Sequence, residues 1–201
     1  LEEKADMDKL EPRFLDHPAL ALAQSKEVIE SMAAKTLESI MGVIEARREY
    51  SKDGIKRVVD LERVIDRYED KLGSYQFKLT VSYLDEEHSK EVSKNLRVLS
   101  DFERISDHAR NVGEAVEEIH EKKIEFTEEA RRELQVLEDA ILDITDLTMI
   151  AFVNDHYEKA LLVDPLEEVI DDLIEDMNAR HVYRMVNSLC DPINGIRYQS
   201  I

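Results

Sequence analysis

The sequence DLERVID occupies residues 60–66, and a related sequence, DFERISD, occupies residues 101–107. Both copies follow the pattern Asp, apolar, Glu, Arg, Val or Ile, any residue, Asp. In each copy the glutamate and the final aspartate are four residues apart, which places both carboxylates on one face of a helix. The motif therefore predicts two helices with an acidic pair each, Glu62 with Asp66 and Glu103 with Asp107.

The spacing between the two copies predicts how their helices pair. The midpoint falls at residues 84–86, where Asp85 is a favourable N-cap residue and indicates a break between helices. An antiparallel hairpin bent at this point would bring both motifs to the same height, about 30 Å from the turn. Four carboxylates would then converge from two facing helices, as expected of a metal site.

The composition predicts a chain that is nearly all helix. No Pro lies between Pro18 and Pro165, the chain has no Trp, and charged residues make up 36% of its 201 residues. A long run without Pro that is rich in Leu, Glu, Ala, Lys and Val is typical of helical proteins.

Charge and motif content exclude several classes of function. A net charge of −19 disfavours direct binding of nucleic acid or anionic membrane. No apolar run approaches the ~18 residues that a membrane span requires, so we expect no direct membrane insertion by this segment. Cys190 is the single cysteine, which favours a reducing compartment. Because no nucleophile motif or phosphate loop is present, we predict that the chain is not an enzyme.

Apolar periodicity and capping residues predict the helix boundaries. We expect helices from Ala19 to about Glu49, from a cap at Asp53 to about Tyr83, from about Glu86 to Lys122 and from about Glu128 to Val153.

A fifth helix is expected to start near Asn154. At Pro165 the sequence allows either a kink in one continuous helix or a new helix capped by Asp164. We favour the kink because of a faint internal repeat.

The internal repeat has an offset of 105 residues, which superposes the pair Glu62 and Asp66 on Glu167 and Asp171. By analogy with the first hairpin, a turn is expected at residues 190–192, and the partner motif would fall beyond residue 201. We therefore predict a linker or arm over residues 1–17, a first three-helix repeat over 18–124 and a second over 125–201. The last helix of the second repeat is expected to be incomplete, and the chain to be a piece of a longer protein.

The acidic pairs have two interpretations. An isolated pair in a chain with 46 acidic residues is most simply a solvated helix face. The matched motifs favour metal binding instead, and oxygen ligands favour Mg, Mn, Ca or Fe over a structural zinc. A ferritin-like di-iron enzyme is disfavoured because it requires Glu-x-x-His on two helices, and only Glu117 with His120 has that spacing.

The segment LSDFERISDHARNV at residues 99–112 resembles the signature of the PhoU family of phosphate-signalling proteins, with Ser106 where that family usually has Gly. Glu62 and Asp66 resemble the family's second element, on the preceding helix. The resemblance implies an all-α fold of tandem three-helix bundles, the second truncated here. It also implies multinuclear metal clusters, with iron in some members. The expected ligands are Glu62, Asp66, Glu103, Asp107 and Asn111, with Glu167 and Asp171 as weaker candidates.

The segment LDHPALALAQ at residues 15–24 resembles the junction after the membrane part of bacterial type II sodium/phosphate cotransporters, which end in a cytoplasmic PhoU-like domain. This resemblance implies a regulatory domain on the cytoplasmic side of the membrane, with the membrane domain of a parent transporter as its partner. Self-association stays open. The alternative is a freestanding acidic helical scaffold that binds partner proteins and has no functional metal.

Overall fold

The computed structural model describes residues 2–81 and 84–189, and within them the chain is helical and contains no strand. The prediction of an all-α fold is therefore confirmed. In the same residues no helix is both long enough and apolar enough to cross a membrane. The elements are α1 (Glu2–Lys9), a 3-10 helix (Pro12–Asp16), α2 (Pro18–Arg48), α3 (Lys52–Val81), α4 (Glu86–Glu121), α5 (Glu128–Val153), α6 (Tyr157–Ala160) and α7 (Val163–Val186).

The cap expected at Asp53 is wrong: Asp53 lies in the first turn of α3, and the hydroxyl of Ser51 accepts a 3.0 Å hydrogen bond from the N–H of Gly54 instead. Two other N-caps predicted from the sequence are present in the structure. The carboxylate of Asp85 accepts a hydrogen bond from the backbone N–H of His88 at 2.8 Å, at the start of α4. The hydroxyl of Thr127 accepts one from the N–H of Ala130 at 3.2 Å, at the start of α5. Each side chain satisfies a backbone donor that has no acceptor within the helix, which explains why both boundaries were predicted correctly.

The expected kink at Pro165 is wrong. The chain forms the short helix α6 and begins α7 at Val163, so Pro165 stands in the first turn of a new helix. Backbone N–H groups in a first turn have no intrahelical acceptor, so Pro is tolerated there. The residue at the N-cap position is Leu162, and not Asp164. The turn predicted at residues 190–192 lies outside the described residues.

The N-terminal segment, for which the sequence predicts a linker or arm, contains α1 and the 3-10 helix. It packs against α3: the hydroxyl of Tyr68 donates a 2.7 Å hydrogen bond to Asp6, and Arg67 donates one of 2.6 Å to Glu3. Leu10 is 3% exposed. The composition of residues 1–17 does not predict this packing, because the partners of these polar residues are more than 60 positions away in the sequence.

The density of internal contacts divides the chain into two units. The first comprises the described residues of 1–40 and Lys56–Arg110, and the second those of Met41–Ile55 and 111–201. The first has a core that includes Leu22, Val28, Ile29, Met32, Ile65, Tyr68, Leu72 and Leu99. In the second, one cluster contains Ala46, Ile55 and Val116, and another contains Ala130, Leu134 and Met177. The sequence repeats at 18–124 and 125–201 stay a prediction.

Candidate functional site

The four carboxylates of the repeated motif lie close enough to affect one another. Burial raises the pKa of Glu62, and the negative charges of Asp66 and Asp107 raise it further. Burial also raises the pKa of Glu103, followed by the charges of Glu69, Asp66, Asp107 and Glu62. All of them belong to the first unit, with Glu62, Asp66 and Glu69 on α3 and the others on α4. The structure thus brings together the two acidic pairs that the motif spacing predicted. We call Glu62, Asp66, Glu103 and Asp107 the acidic cluster.

Arg110 provides a positive charge at the acidic cluster. Its Nη1 lies 3.4 Å from Oε1 of Glu62, and its Nη2 donates a 2.8 Å hydrogen bond to Oδ1 of Asp107. The guanidinium therefore joins α4 to α3. It lowers the pKa of Glu62, but burial and the neighbouring carboxylates outweigh this effect. The pair of Arg110 with Glu62 has one largely buried partner, so solvent screens it less than it screens an exposed pair.

Sequence reasoning missed two residues of this site. Arg110 lies one helical turn after Asp107, and Glu69 lies one turn after Asp66, so the i+3 spacing could have identified both. Glu69 adds a fifth carboxylate and accepts a 3.1 Å hydrogen bond from the hydroxyl of Ser100 on α4. The site is a larger charged network than the two motifs alone indicate.

The arginines inside the motifs are exposed. Arg63 forms its ion pair with Asp60 at 3.3 Å, and both side chains are more than half exposed. Arg104 is also exposed. Among the described residues, Arg110, which lies outside the motifs, forms ion pairs with Glu62 and Asp107 of the cluster.

The remaining predicted ligands are not part of the first unit. Asn111 is exposed and belongs to the second unit, as do Glu167 and Asp171, which are exposed on α7. A role for these three residues in metal binding stays a prediction.

The acidic cluster can be tested for its fit to a cation. Its oxygen donors suit a hard or intermediate cation, and the raised pKa values of Glu62 and Glu103 indicate that positive charge would be favourable there. In the described parts of the chain, however, no three His, Cys, Asp or Glu side chains are arranged so that they could hold a metal ion. Chemically the residues fit a cation, while their present arrangement is that of an ion-pair network around Arg110.

One family model matches the part of the chain that carries the cluster. No curated protein and no solved structure matched the chain. The PhoU domain is a helical bundle with a regulatory role and is generally linked to phosphate regulation. The PhoU family is not known as an enzyme family. Residues 29–116, which include both motif copies and Arg110, match the model of the PhoU domain.

Proposed function

We propose that this chain is a regulatory domain of sodium-dependent phosphate transport and that its acidic cluster binds a divalent or trivalent cation. The observation that carries the proposal is the position of the PhoU match, which contains both motifs. The four carboxylates of those motifs interact electrostatically across α3 and α4. Iron, Mn, Mg and Ca are all compatible with oxygen donors.

A cation bound at the cluster would add positive charge. Like charges within one site disfavour ionisation of every carboxylate, and a cation relieves this repulsion. Arg110 already relieves part of it by contacting Glu62 and Asp107. The guanidinium and a cation therefore compete for the same oxygens, so occupancy of the cluster would alter the contact between α3 and α4. Such a change is suitable for signalling to a transporter.

The metal part of the proposal is tested by thermal unfolding and calorimetric titration of the full chain with each cation. The changes Asp66→Asn and Asp107→Asn together keep the shape of the site and remove two charges. The matched control is Asp60→Asn with Asp101→Asn, which alters the exposed first aspartate of each motif. We expect the cation-dependent rise in Tm to disappear in the first variant and to persist in the control, because a ligand bound only by the folded state stabilises it. An unchanged rise in the first variant would place the site elsewhere.

The transport part is tested separately. Proteoliposomes that carry the membrane domain of a sodium/phosphate cotransporter are assayed for sodium-driven uptake of radiolabelled phosphate, with and without the added chain. The proposal expects the uptake rate to change with the wild-type chain and to respond less to the Asp66→Asn, Asp107→Asn variant. Equal uptake with and without the chain contradicts a role in transport and leaves the metal result intact.

A second candidate function is an acidic helical scaffold for protein partners, with no functional metal. Arg110 favours it, because this residue already supplies a counter-charge at the cluster. The scaffold predicts that no cation raises the Tm of either the wild type or the Asp60→Asn, Asp101→Asn control. The same titrations therefore separate the two functions.

A further inference from the structure

A cleft in the second unit is basic although the chain as a whole is strongly acidic. It has a volume of about 890 Å³, and its described lining includes Arg47, Arg48, Lys123 and Arg131 against one acidic residue, Glu125. The whole chain has 27 Lys and Arg residues against 46 acidic ones. A cation that lines a concave site attracts an anion where nearby acids do not already balance its charge.

Two of the four cations are held in place by acids that do not line the cleft. Both Nε and Nη2 of Arg47 donate to Glu138, the latter at 2.7 Å, and Arg48 donates to Glu138 at 3.0 Å and to Asp139 at 2.5 Å. Burial and the adjacent charge of Arg48 lower the pKa of Arg47. Two guanidinium groups therefore stay side by side at the edge of the cleft, with their charge balanced by Glu138 and Asp139.

The other two cations, Lys123 and Arg131, are less strongly paired with acidic residues. Among the described residues Lys123 forms no ion pair, and it is exposed. Arg131 pairs with Glu128 at 3.5 Å, but both side chains are about 60% exposed, 63% and 59%. Exposed pairs of this kind are weak and exchange readily. Lys123 and Arg131 are thus available to contact a ligand.

The backbone at Lys123 is unusual for a lysine. Its φ is 53°, in the left-handed region, at the end of α4. The N–H of Lys123 donates to the carbonyl of His120 at 3.1 Å and that of Ile124 donates to Ile119 at 3.0 Å, the pattern of a Schellman motif. Glycine is favoured at this position because other residues are strained there. A strained residue that presents a charge to a cleft is consistent with a functional role.

An aromatic surface forms another part of the cleft. The rings of Tyr50 and His120 stack with centroids 3.4 Å apart and planes 4° from parallel. Tyr50 packs against the cluster of Ala46, Ile55 and Val116, which supports it from behind. Ile119 and Phe126 add apolar lining. A cleft that combines apolar lining with a few convergent charged groups is typical of a site for an organic ligand.

We propose that this cleft binds a small organic phosphate with a planar ring, of the size of a nucleotide. The phosphate dianion contacts Lys123 and Arg131, and the ring lies against Tyr50 and His120. Two cations suit a doubly charged group, and guanidinium and ammonium groups are both effective phosphate ligands. The site lies within the second unit and shares no residue with the acidic cluster.

The first test is calorimetric titration of the full chain with a panel of AMP, UMP and FMN. Ribose 5-phosphate, adenosine and inorganic phosphate serve as comparison ligands that each lack one part of the proposed recognition. At least one nucleotide should bind about tenfold more tightly than all three comparison ligands, because it engages both the cations and the aromatic surface. No binding by any of the three nucleotides at millimolar concentration overturns the proposal, as does equal binding of adenosine.

The second test uses neighbouring residues as matched controls. The double change Lys123→Ala and Arg131→Ala should weaken nucleotide binding at least about tenfold. Lys122→Ala with Arg132→Ala removes the same net charge from adjacent positions that are not part of the described lining, and binding should stay within about twofold. Equal losses in both variants would show that only net charge matters and would overturn the site.

A single change at Lys123 separates loss of the site from loss of folding. Lys123→Gly relieves the backbone strain at φ 53° while it removes the charge, so the Tm should rise as nucleotide affinity falls. Tyr50→Leu should weaken nucleotide binding and leave the affinity for ribose 5-phosphate unchanged. If Lys123→Gly binds the nucleotide as well as the wild type does, the lysine is not a ligand.

Discussion

Arg110 Nη1 lies 3.4 Å from Glu62 Oε1, across the contact between α4 and α3. The repeated motif explains why carboxylates gather at this contact, but the nearest positive charge comes from a residue outside the motif. The Glu62 side chain is 12% exposed and that of Arg110 is 34% exposed, so solvent screens this pair only partly. The acidic cluster therefore depends on Arg110 when no cation is bound.

The change Arg110→Ala should lower the free energy of unfolding by about 1–3 kcal/mol at neutral pH, because it leaves the largely buried carboxylate of Glu62 without this partner. Urea unfolding followed by circular dichroism measures the effect. Arg104→Ala, an exposed change on the same helix, is the control and should stay within about 0.5 kcal/mol. In a Glu62→Gln background the effect of Arg110→Ala should shrink. If it does not, the interaction of Arg110 with Glu62 is not what stabilises the contact.

Removal of Arg110 should also strengthen cation binding to the acidic cluster, if the guanidinium and the cation compete for Glu62 and Asp107. We expect a several-fold lower Kd in the Arg110→Ala variant than in the wild type, measured by calorimetric titration. Arg104→Ala again serves as the control and should leave the Kd unchanged. A weaker affinity in Arg110→Ala would mean that Arg110 organises the site and does not compete for it.

The Asp6–Tyr68 hydrogen bond predicts a pH-dependent contribution to stability. Burial alone would raise the pKa of Asp6, but hydrogen bonds from Tyr68, Ser31 and Lys9 outweigh it and lower the pKa from its ordinary 3.8. A lowered folded-state pKa stabilises the fold above the unfolded-state pKa, and this contribution is lost as the pH falls through the folded-state pKa.

Asp6→Asn should therefore destabilise the protein by about 1–3 kcal/mol at neutral pH, and the difference from wild type should decrease below ~pH 5. Urea unfolding at a series of pH values measures this. Asp8→Asn is the control, since Asp8 is exposed on the same helix. A difference that does not vary with pH would contradict an ionised Asp6 in the folded state.

In the second unit, Glu133 on α5 binds two arginines of α7. It accepts hydrogen bonds from Arg180 at 2.8 Å and from Arg184 at 2.9 and 2.7 Å. Because Arg184 is only 7% exposed, Glu133→Gln should destabilise the protein by about 2–4 kcal/mol. Glu129→Gln, at an exposed position of α5, should have little effect. Near-equal urea midpoints for the two variants would show that the ion pairs contribute little.

The outer face of α7 predicts weaker protection from hydrogen exchange in this helix than in α3. Large apolar side chains on α7 are exposed, among them Val182 at 46%, Tyr183 at 64% and Val186 at 77%. Each forfeits about 25 cal/mol per Å² of apolar area that stays in contact with water. We expect amides of α7 to exchange before those of α3 when the full chain is measured by mass spectrometry at low concentration. Equal protection of the two helices would contradict this expectation, and protection that increases with protein concentration would indicate self-association through this face.

The helical fold and most helix boundaries could be predicted from the pattern of residues, because these depend on local interactions. Caps such as Asp85 and Thr127 satisfy backbone groups within three residues, and apolar periodicity marks the buried face of each helix. The pairing of the two motifs was also predictable, because a hairpin relates positions that are equally distant from its turn. The start of α7 was not predicted correctly, since Pro is compatible with both a kink and a first turn.

The partners of the charged residues depend on how the helices pack, which the pattern of residues does not specify. Asp6 binds Tyr68 and Arg47 binds Glu138, over separations of 62 and 91 residues, and no local pattern relates them. The basic cleft is similarly hidden, since Arg47, Lys123 and Arg131 come from different parts of a chain whose average charge is negative. Helical periodicity specifies which face of a helix a side chain is on. The choice of partner depends on packing between helices, because long charged side chains can reach several neighbours and burial selects one of them.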